Sequence, residues 1–161
     1  MKRLLVGCAA AMAMLSGAAQ AACWTEIAVE AAQVRDFETK MMVSMLRCRI
    51  KGADYTQAYN RFVVEKRPLL SAASGELRAQ FARTVGPSRA MNAYDDYMTK
   101  VANSYGGGEG GLSCDETASM LDAAVGAHNL TDLLDLAVRA GSSPYLPEER
   151  CPAPARFAAL K

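Results

Sequence analysis

Residues 24–51, WTEIAVEAAQVRDFETKMMVSMLRCRIK, decide the fold. Ile27, Ala31, Val34, Phe37, Met41, Met45 and Cys48 recur every three or four positions, the spacing that gathers side chains onto one face of an α-helix. Lys51 and Gly52 supply a stop, with a cation in the last turn and a glycine where a left-handed cap is least strained. One amphipathic helix over 24–51 is the expectation, and the rest of the chain must cover its apolar stripe.

Downstream the same period continues. Asp54 with Gln57 three residues on has the form of a capping box, and a second helix over 54–85 carries Tyr55, Tyr59, Phe62, Leu69, Ala73, Leu77, Phe81 and Val85 on its stripe. Pro68 interrupts it, since proline has no N–H to give and its ring crowds the carbonyl of Val64. A bend or restart is required there. A straight rod of that length would measure about 48 Å, against a radius of gyration of about 14 Å for a domain of this size.

Gly86-Pro87 breaks the chain before a third helix over 88–105, and Gly106 to Gly111 places five glycines in six residues. No Lys-Ser or Lys-Thr follows those glycines and no strand precedes them, so they form a loop and not a phosphate cradle. Ser113 with Glu116 caps a fourth helix over 114–127, and Asn129 or Thr131 caps a fifth over 130–140 that Gly141 ends. The tail, 142–161, contains Pro144, Pro147, Pro152 and Pro154, which prevent a regular helix over most of its length. No alternating strand pattern and no internal repeat appears. The fold class expected is all-α: a single-domain bundle of about five helices with a kinked second helix, two disulfides and a proline-rich tail.

Upstream of Trp24, Lys2 and Arg3 precede an uncharged apolar run from Leu4 to Ser16, and Ala19-Gln20-Ala21 matches a small-residue cleavage site. Residues 1–21 read as a signal peptide, leaving 22–161 as one helical domain in the periplasm or the extracellular space. The run is too short to span a bilayer comfortably. Leu5-Val6-Gly7-Cys8 resembles a lipobox, but cutting there would leave almost no apolar core before the cut. Cleavage after Ala21 removes two of the 18 basic residues, leaving 16 against 17 acidic ones and a formal net charge of −1. That balance gives no footprint for nucleic acid.

Four of the five cysteines remain after such a cut: Cys23, Cys48, Cys114 and Cys151. An even number in an exported chain implies two disulfides. Their separations of 25, 66 and 37 residues, with His128 as the one histidine, do not suit structural zinc, a C-x-x-C redox pair or haem attachment. Cys23 and Cys48 flank the first helix, about 37 Å apart, whereas a disulfide holds its Cα atoms about 6 Å apart. That pairing is excluded and two connectivities are left. Helices running up, down and up favour Cys48 with Cys114 and Cys23 with Cys151, over Cys23 with Cys114 and Cys48 with Cys151.

Candidate chemistry is sparse. His128 lies near Asp132 and Asp122, a pairing suited to proton transfer, though a capping role for the histidine is the simpler reading. Asp95, Asp96 and Glu109 could serve as a glycosidase carboxylate pair only if the fold brought them to one cleft, and solvated acids on an exposed face are the plainer account. Tyr55, Tyr59, Tyr94, Tyr97 and Tyr105 share stripes with aliphatic residues, as a core seam whose hydroxyls reach the rim or as an aromatic ligand groove. Arg47, Arg49, Lys51, Arg61, Lys66 and Arg67 concentrate positive charge near the turn between the first two helices, where an anionic lipid or glycan could dock. Asn129-Leu130-Thr131 has the form of a glycosylation sequon.

The run CWTEIAVEAAQVRDFETKMMVSMLRCR (23–49), with Tyr59-Asn60-Arg61-Phe62 and Tyr94-Asp95-Asp96-Tyr97, resembles uncharacterised exported all-helical proteins of proteobacteria. The resemblance covers the first three helices and implies compartment and fold, with no site residues and no activity. The functional expectation is an exported, non-enzymatic helical module that binds a protein, peptide or envelope component and needs no cofactor. The alternative is a small cell-wall or peptide hydrolase using carboxylates, together with His128.

Overall fold

The computed structural model describes residues 23–107 and 111–152. The expected signal peptide, Glu109 and the end of the tail lie outside the described residues. Within them are six α-helices: α1 (Glu26–Ile50), α2 (Thr56–Glu65), α3 (Arg67–Val85), α4 (Ala90–Gly106), α5 (Cys114–Gly126) and α6 (Leu130–Arg139), with a 3₁₀ turn at Pro87–Arg89. The one β-type contact among the described residues is an isolated parallel bridge between Trp24 and Arg150.

The sixth helix arises because the expected second helix divides. Lys66, at φ −97° and ψ 10°, separates α2 from α3, two residues before Pro68. Pro68 then occupies the first turn of α3, where its missing N–H is one of the donors a helix start leaves unpaired anyway. The start of α2 also differs from expectation. Asp54 accepts from the Thr56 N–H at 2.9 Å in a local turn, Tyr55 occupies the cap position without a side-chain bond, and no box with Gln57 forms. The Asp side chain thus stabilises the turn before the helix instead of the helix start itself.

The other starts follow the sequence. Ser113 Oγ accepts from the Glu116 N–H at 3.2 Å and Glu116 Oε2 accepts from the Ser113 N–H at 2.8 Å. Asn129 accepts from the Asp132 N–H at 3.0 Å, and Thr25 accepts from the Ala28 N–H at 3.2 Å. At the end of α6, Ser142 N–H reaches Ala137 O and Gly141 N–H reaches Val138 O, both at 2.9 Å, with Gly141 at φ +67°. This paired closure requires the left-handed backbone that glycine adopts without strain.

α1 is the axis of the domain. It packs against all five other helices, and every residue from Asp36 to Met41 is buried. One apolar stripe therefore does not describe it: the middle of the helix is enclosed on all sides, with charged residues among the buried ones, while Ile27, Leu46 and Ile50 near its ends are exposed. At its lower end Trp24 is fully buried, with Phe81 edge-on at 5.7 Å and Tyr97 at 5.8 Å between centroids. Midway, Phe37 meets Phe62 edge-on at 6.0 Å. Gln80, also fully buried, donates to Cys23 O at 2.9 Å and accepts from Arg83 at 2.6 Å, so its amide is satisfied despite the apolar surroundings.

Both disulfides form with the favoured connectivity. Cys23 bonds Cys151 with Cα atoms 4.8 Å apart, and Cys48 bonds Cys114 at 5.5 Å. The first joins the base of α1 to the segment after α6; the second joins the top of α1 to the start of α5. Replacing Cys48 and Cys114 together by serine is expected to lower unfolding free energy by about 2–4 kcal/mol, read from urea denaturation under non-reducing conditions.

Candidate functional site

Three charged residues on two faces of α1, Asp36, Glu38 and Lys40, are buried. Burying a charge is unfavourable unless partners replace water. The surrounding helices supply those partners, and they sort the residues into two groups.

Glu38 belongs to the first. Its Oε1 accepts from the Tyr59 hydroxyl at 2.5 Å, and its Oε2 lies 3.2 Å from Arg35 Nη1. Burial, together with the negative charge of Glu38, pushes the Tyr59 phenol well above its usual value of 10.0.

Asp36 and Lys40 form the second. Tyr105 donates its hydroxyl to Asp36 Oδ2 at 2.6 Å. Lys40 donates to the carbonyls of Ala140 and Gly141 at the end of α6, and its ammonium lies 5.5 Å from the centroid of the Tyr105 ring. A cation at a helix C-terminus is stabilising by about 0.3–1 kcal/mol, yet burial outweighs this and the charge of Asp36, so the Lys40 ammonium is held below its ordinary 10.5. For Asp36 too, burial prevails over the Tyr105 hydrogen bond and the Lys40 charge, raising its carboxyl above 3.8. Tyr97 and Tyr105 are both raised, chiefly by burial and further by the proximity of Asp36. The Tyr97 hydroxyl is buried without a hydrogen-bond partner, and Ser142 lies beside the Asp36 carboxyl and the Tyr105 hydroxyl.

Asp36, from this second group, lines a surface groove. Asp36, Val101, Ser104, Lys100, Ser143 and Tyr145 line a recess of about 440 Å³ between α4 and the segment that follows α6. Lys100 and Tyr145 are shared with a neighbouring recess of about 210 Å³, where Tyr97, Asp96, Pro147 and Glu148 form part of the wall. The outer wall is therefore the strap 142–151, and it is anchored. Trp24 N–H donates to Glu149 O, Cys151 N–H donates to Trp24 O, each at 2.8 Å, and the Trp24 indole donates to Glu148 Oε2 at 2.5 Å. The Cys23–Cys151 bond closes its end. Tyr145 projects from it, 59% exposed.

The five tyrosines expected to share a groove are divided. α2 packs on α1, α3 and α5, and α4 on α1 and α3, without the two forming a helix pair of their own; Tyr59 meets Glu38 and Phe62, away from the partners of Tyr94, Tyr97 and Tyr105. Tyr94 donates to Ser74 Oγ at 3.2 Å and lies under the Arg78 guanidinium. Tyr97 borders the smaller recess and Tyr105 supports Asp36. Sequence reasoning missed Asp36, Lys100 and Tyr145. The available signals were an acid and a base four apart inside an apolar run, and an aromatic between two prolines.

His128 lies exposed in the α5–α6 turn and borders neither recess; its backbone N–H donates to Asp132 Oδ2 at 2.7 Å. Asp95 and Asp122 are exposed, and Asp96 borders the smaller recess beside the groove. No group of three metal-ligating side chains occurs among the described residues. Comparison with protein families, curated proteins and solved structures gives no match, so the groove is interpreted through its own chemistry.

Because the folded chain binds the Asp36 proton more tightly than the unfolded chain, the associated stabilisation is complete below pH 3.8 and is lost as pH rises through the raised value. Asp36→Asn keeps an acceptor for Tyr105 and removes the titration. Its stability relative to the parent is expected to climb with pH over that window and then level off, measured by denaturant unfolding across a pH series.

Proposed function

We propose that this protein is exported and serves as a helical binding module, holding a polyhydroxylated envelope component, such as a glycan fragment, in the groove between α4 and the strap. One observation carries this reading: a recess with a buried acid at its floor and an exposed aromatic on a crosslinked wall. A sugar offers hydroxyls to Asp36, Ser104, Ser143 and Lys100, and an apolar C–H face to the Tyr145 ring. The fixed wall reduces the ordering penalty on binding.

Export is supported by the Lys2-Arg3 charge, the apolar run and the Ala19-Gln20-Ala21 site, together with two disulfides suited to an oxidising compartment. No helix among the described residues is long and apolar enough to cross a membrane. Intact mass of the protein recovered from the envelope or medium is expected to correspond to a chain beginning at Ala22 with four fewer hydrogens; a mass retaining Met1 would refute it.

A hydrolytic reading of the same groove is favoured by one observation, the raised Asp36 facing the recess that Asp96 and Glu148 continue. Two carboxyl groups in different surroundings along one cleft are the arrangement that glycosidic cleavage uses. Both readings meet in one experiment. With muropeptides and envelope glycans as probes, Tyr145→Ala is expected to weaken binding about tenfold, the loss of one stacking contact and its packing. Probes recovered intact support the binding module, cleaved probes support the hydrolase, and no difference between parent and variant removes the groove from both.

A further inference from the structure

A third recess, remote in its lining from the groove and its neighbour, occupies the place where α1, α2 and α3 meet. It has a volume of about 170 Å³ and is bordered by Arg35, Glu38, Val63, Arg67, Leu70 and Ser71, with Ser74 behind. The Lys66 break creates it. By ending α2 and starting α3, the break sets Val63 from one helix beside Arg67, Leu70 and Ser71 from the next, all around the Arg35 side chain of α1.

The charges in this recess do not cancel. Glu38 accepts from Tyr59 on one oxygen and pairs with Arg35 through the other, so it fixes the Arg35 guanidinium, and it makes no contact with Arg67. Arg67 is exposed and its side chain makes no ion pair or hydrogen bond among the described residues. Arg35 Nε is buried and meets no acceptor, so the guanidinium's donors are only partly used. Ser74 is occupied, donating to Leu70 O at 3.0 Å and accepting from Tyr94, whereas the exposed Ser71 hydroxyl has no partner among the described residues. Two guanidiniums against one carboxylate leave a single positive charge, walled on one side by Val63 and Leu70.

We propose that this cleft binds the carboxylate of a short aliphatic acid or of a peptide chain terminus. Guanidinium groups match the planar, two-oxygen geometry of a carboxylate. The surplus of one charge fits a singly charged group better than a doubly charged phosphate. A cavity of about 150 Å³ accommodates a benzene-sized group, so this cleft has room for a carboxylate with a few methylenes lying on Val63 and Leu70. Arg35 is held in place by Glu38 and Tyr59 before any ligand arrives, and Arg67 closes over it from the exposed side.

The test is an NMR titration of the disulfide-intact chain at constant salt with four probes: butyrate, N-acetyl-alanyl-alanine, the C-terminal amide of that peptide, and inorganic phosphate. Both carboxylates are expected to shift the Val63 and Leu70 methyls and the Ser71 amide. The amide is expected to leave them in place, and phosphate to bind more weakly than either carboxylate. Tighter binding of the acetylated dipeptide assigns the ligand to a peptide terminus, and tighter binding of butyrate to a free acid. Arg67→Ala, on the surface, is expected to weaken carboxylate binding about tenfold. Arg35→Lys, which keeps the charge and loses the planar fork, is expected to do the same. Tyr145→Ala should have no effect, which separates failure here from failure of the groove. Equal binding by the amide, tighter binding by phosphate, or an Arg67→Ala protein that binds like the parent would overturn the assignment.

Discussion

A helix packed against five others leaves no face for water along its middle, residues 36–41, and that constraint governs the rest of this structure. α1 contributes Phe37 and Met41 to the core, which favours enclosure, and Asp36, Glu38 and Lys40, which oppose it. The surrounding chain reconciles the two by placing Tyr105 on Asp36, Tyr59 on Glu38 and the end of α6 on Lys40. Each of these partners lies on a different element, so satisfying α1 also orients α4, α2 and α6 around it. Polar pairs thus add direction to a core whose apolar contacts alone would tolerate sliding.

Much of this was legible from the sequence because it is local. Hydrophobic spacing located the helical segments while joining α2 and α3 into one, the Ser113–Glu116 box formed as expected, Asn129 proved the cap of the two offered, and helix directions selected the observed disulfides. The divided second helix was half legible. Pro68 announces a disturbance, but a proline is well accommodated in a helix's first turn, so the chain breaks at Lys66 and restarts ahead of the ring. Asp54 illustrates a competition between two local solutions, and the turn prevailed over the cap.

What escaped was non-local. Asp36 and Lys40 stand four apart, the spacing of an ordinary surface pair, and only the α6 terminus and Tyr105 reveal that they are internal. Tyr145 belongs to no periodic pattern. Its role depends on Cys151 and Glu149 pinning the strap to Trp24, residues more than a hundred positions earlier. Periodicity detects how a helix faces its core; it says nothing of which distant segment completes a wall. The tyrosine stripe misled for the related reason that shared spacing on two helices does not make those helices neighbours.

The two crosslinks are nested, with the 66-residue loop of Cys48–Cys114 lying wholly inside the 128-residue loop of Cys23–Cys151. Between Cys23 and Cys151 the polypeptide is a covalent ring with a second ring inside it. A protease that severs the glycine stretch after Gly107 would cut both rings once and release nothing, because the pieces on either side stay joined through sulfur at two places. Such a chain can be nicked once between Cys48 and Cys114 and still hold its strap, and the groove beneath it, together.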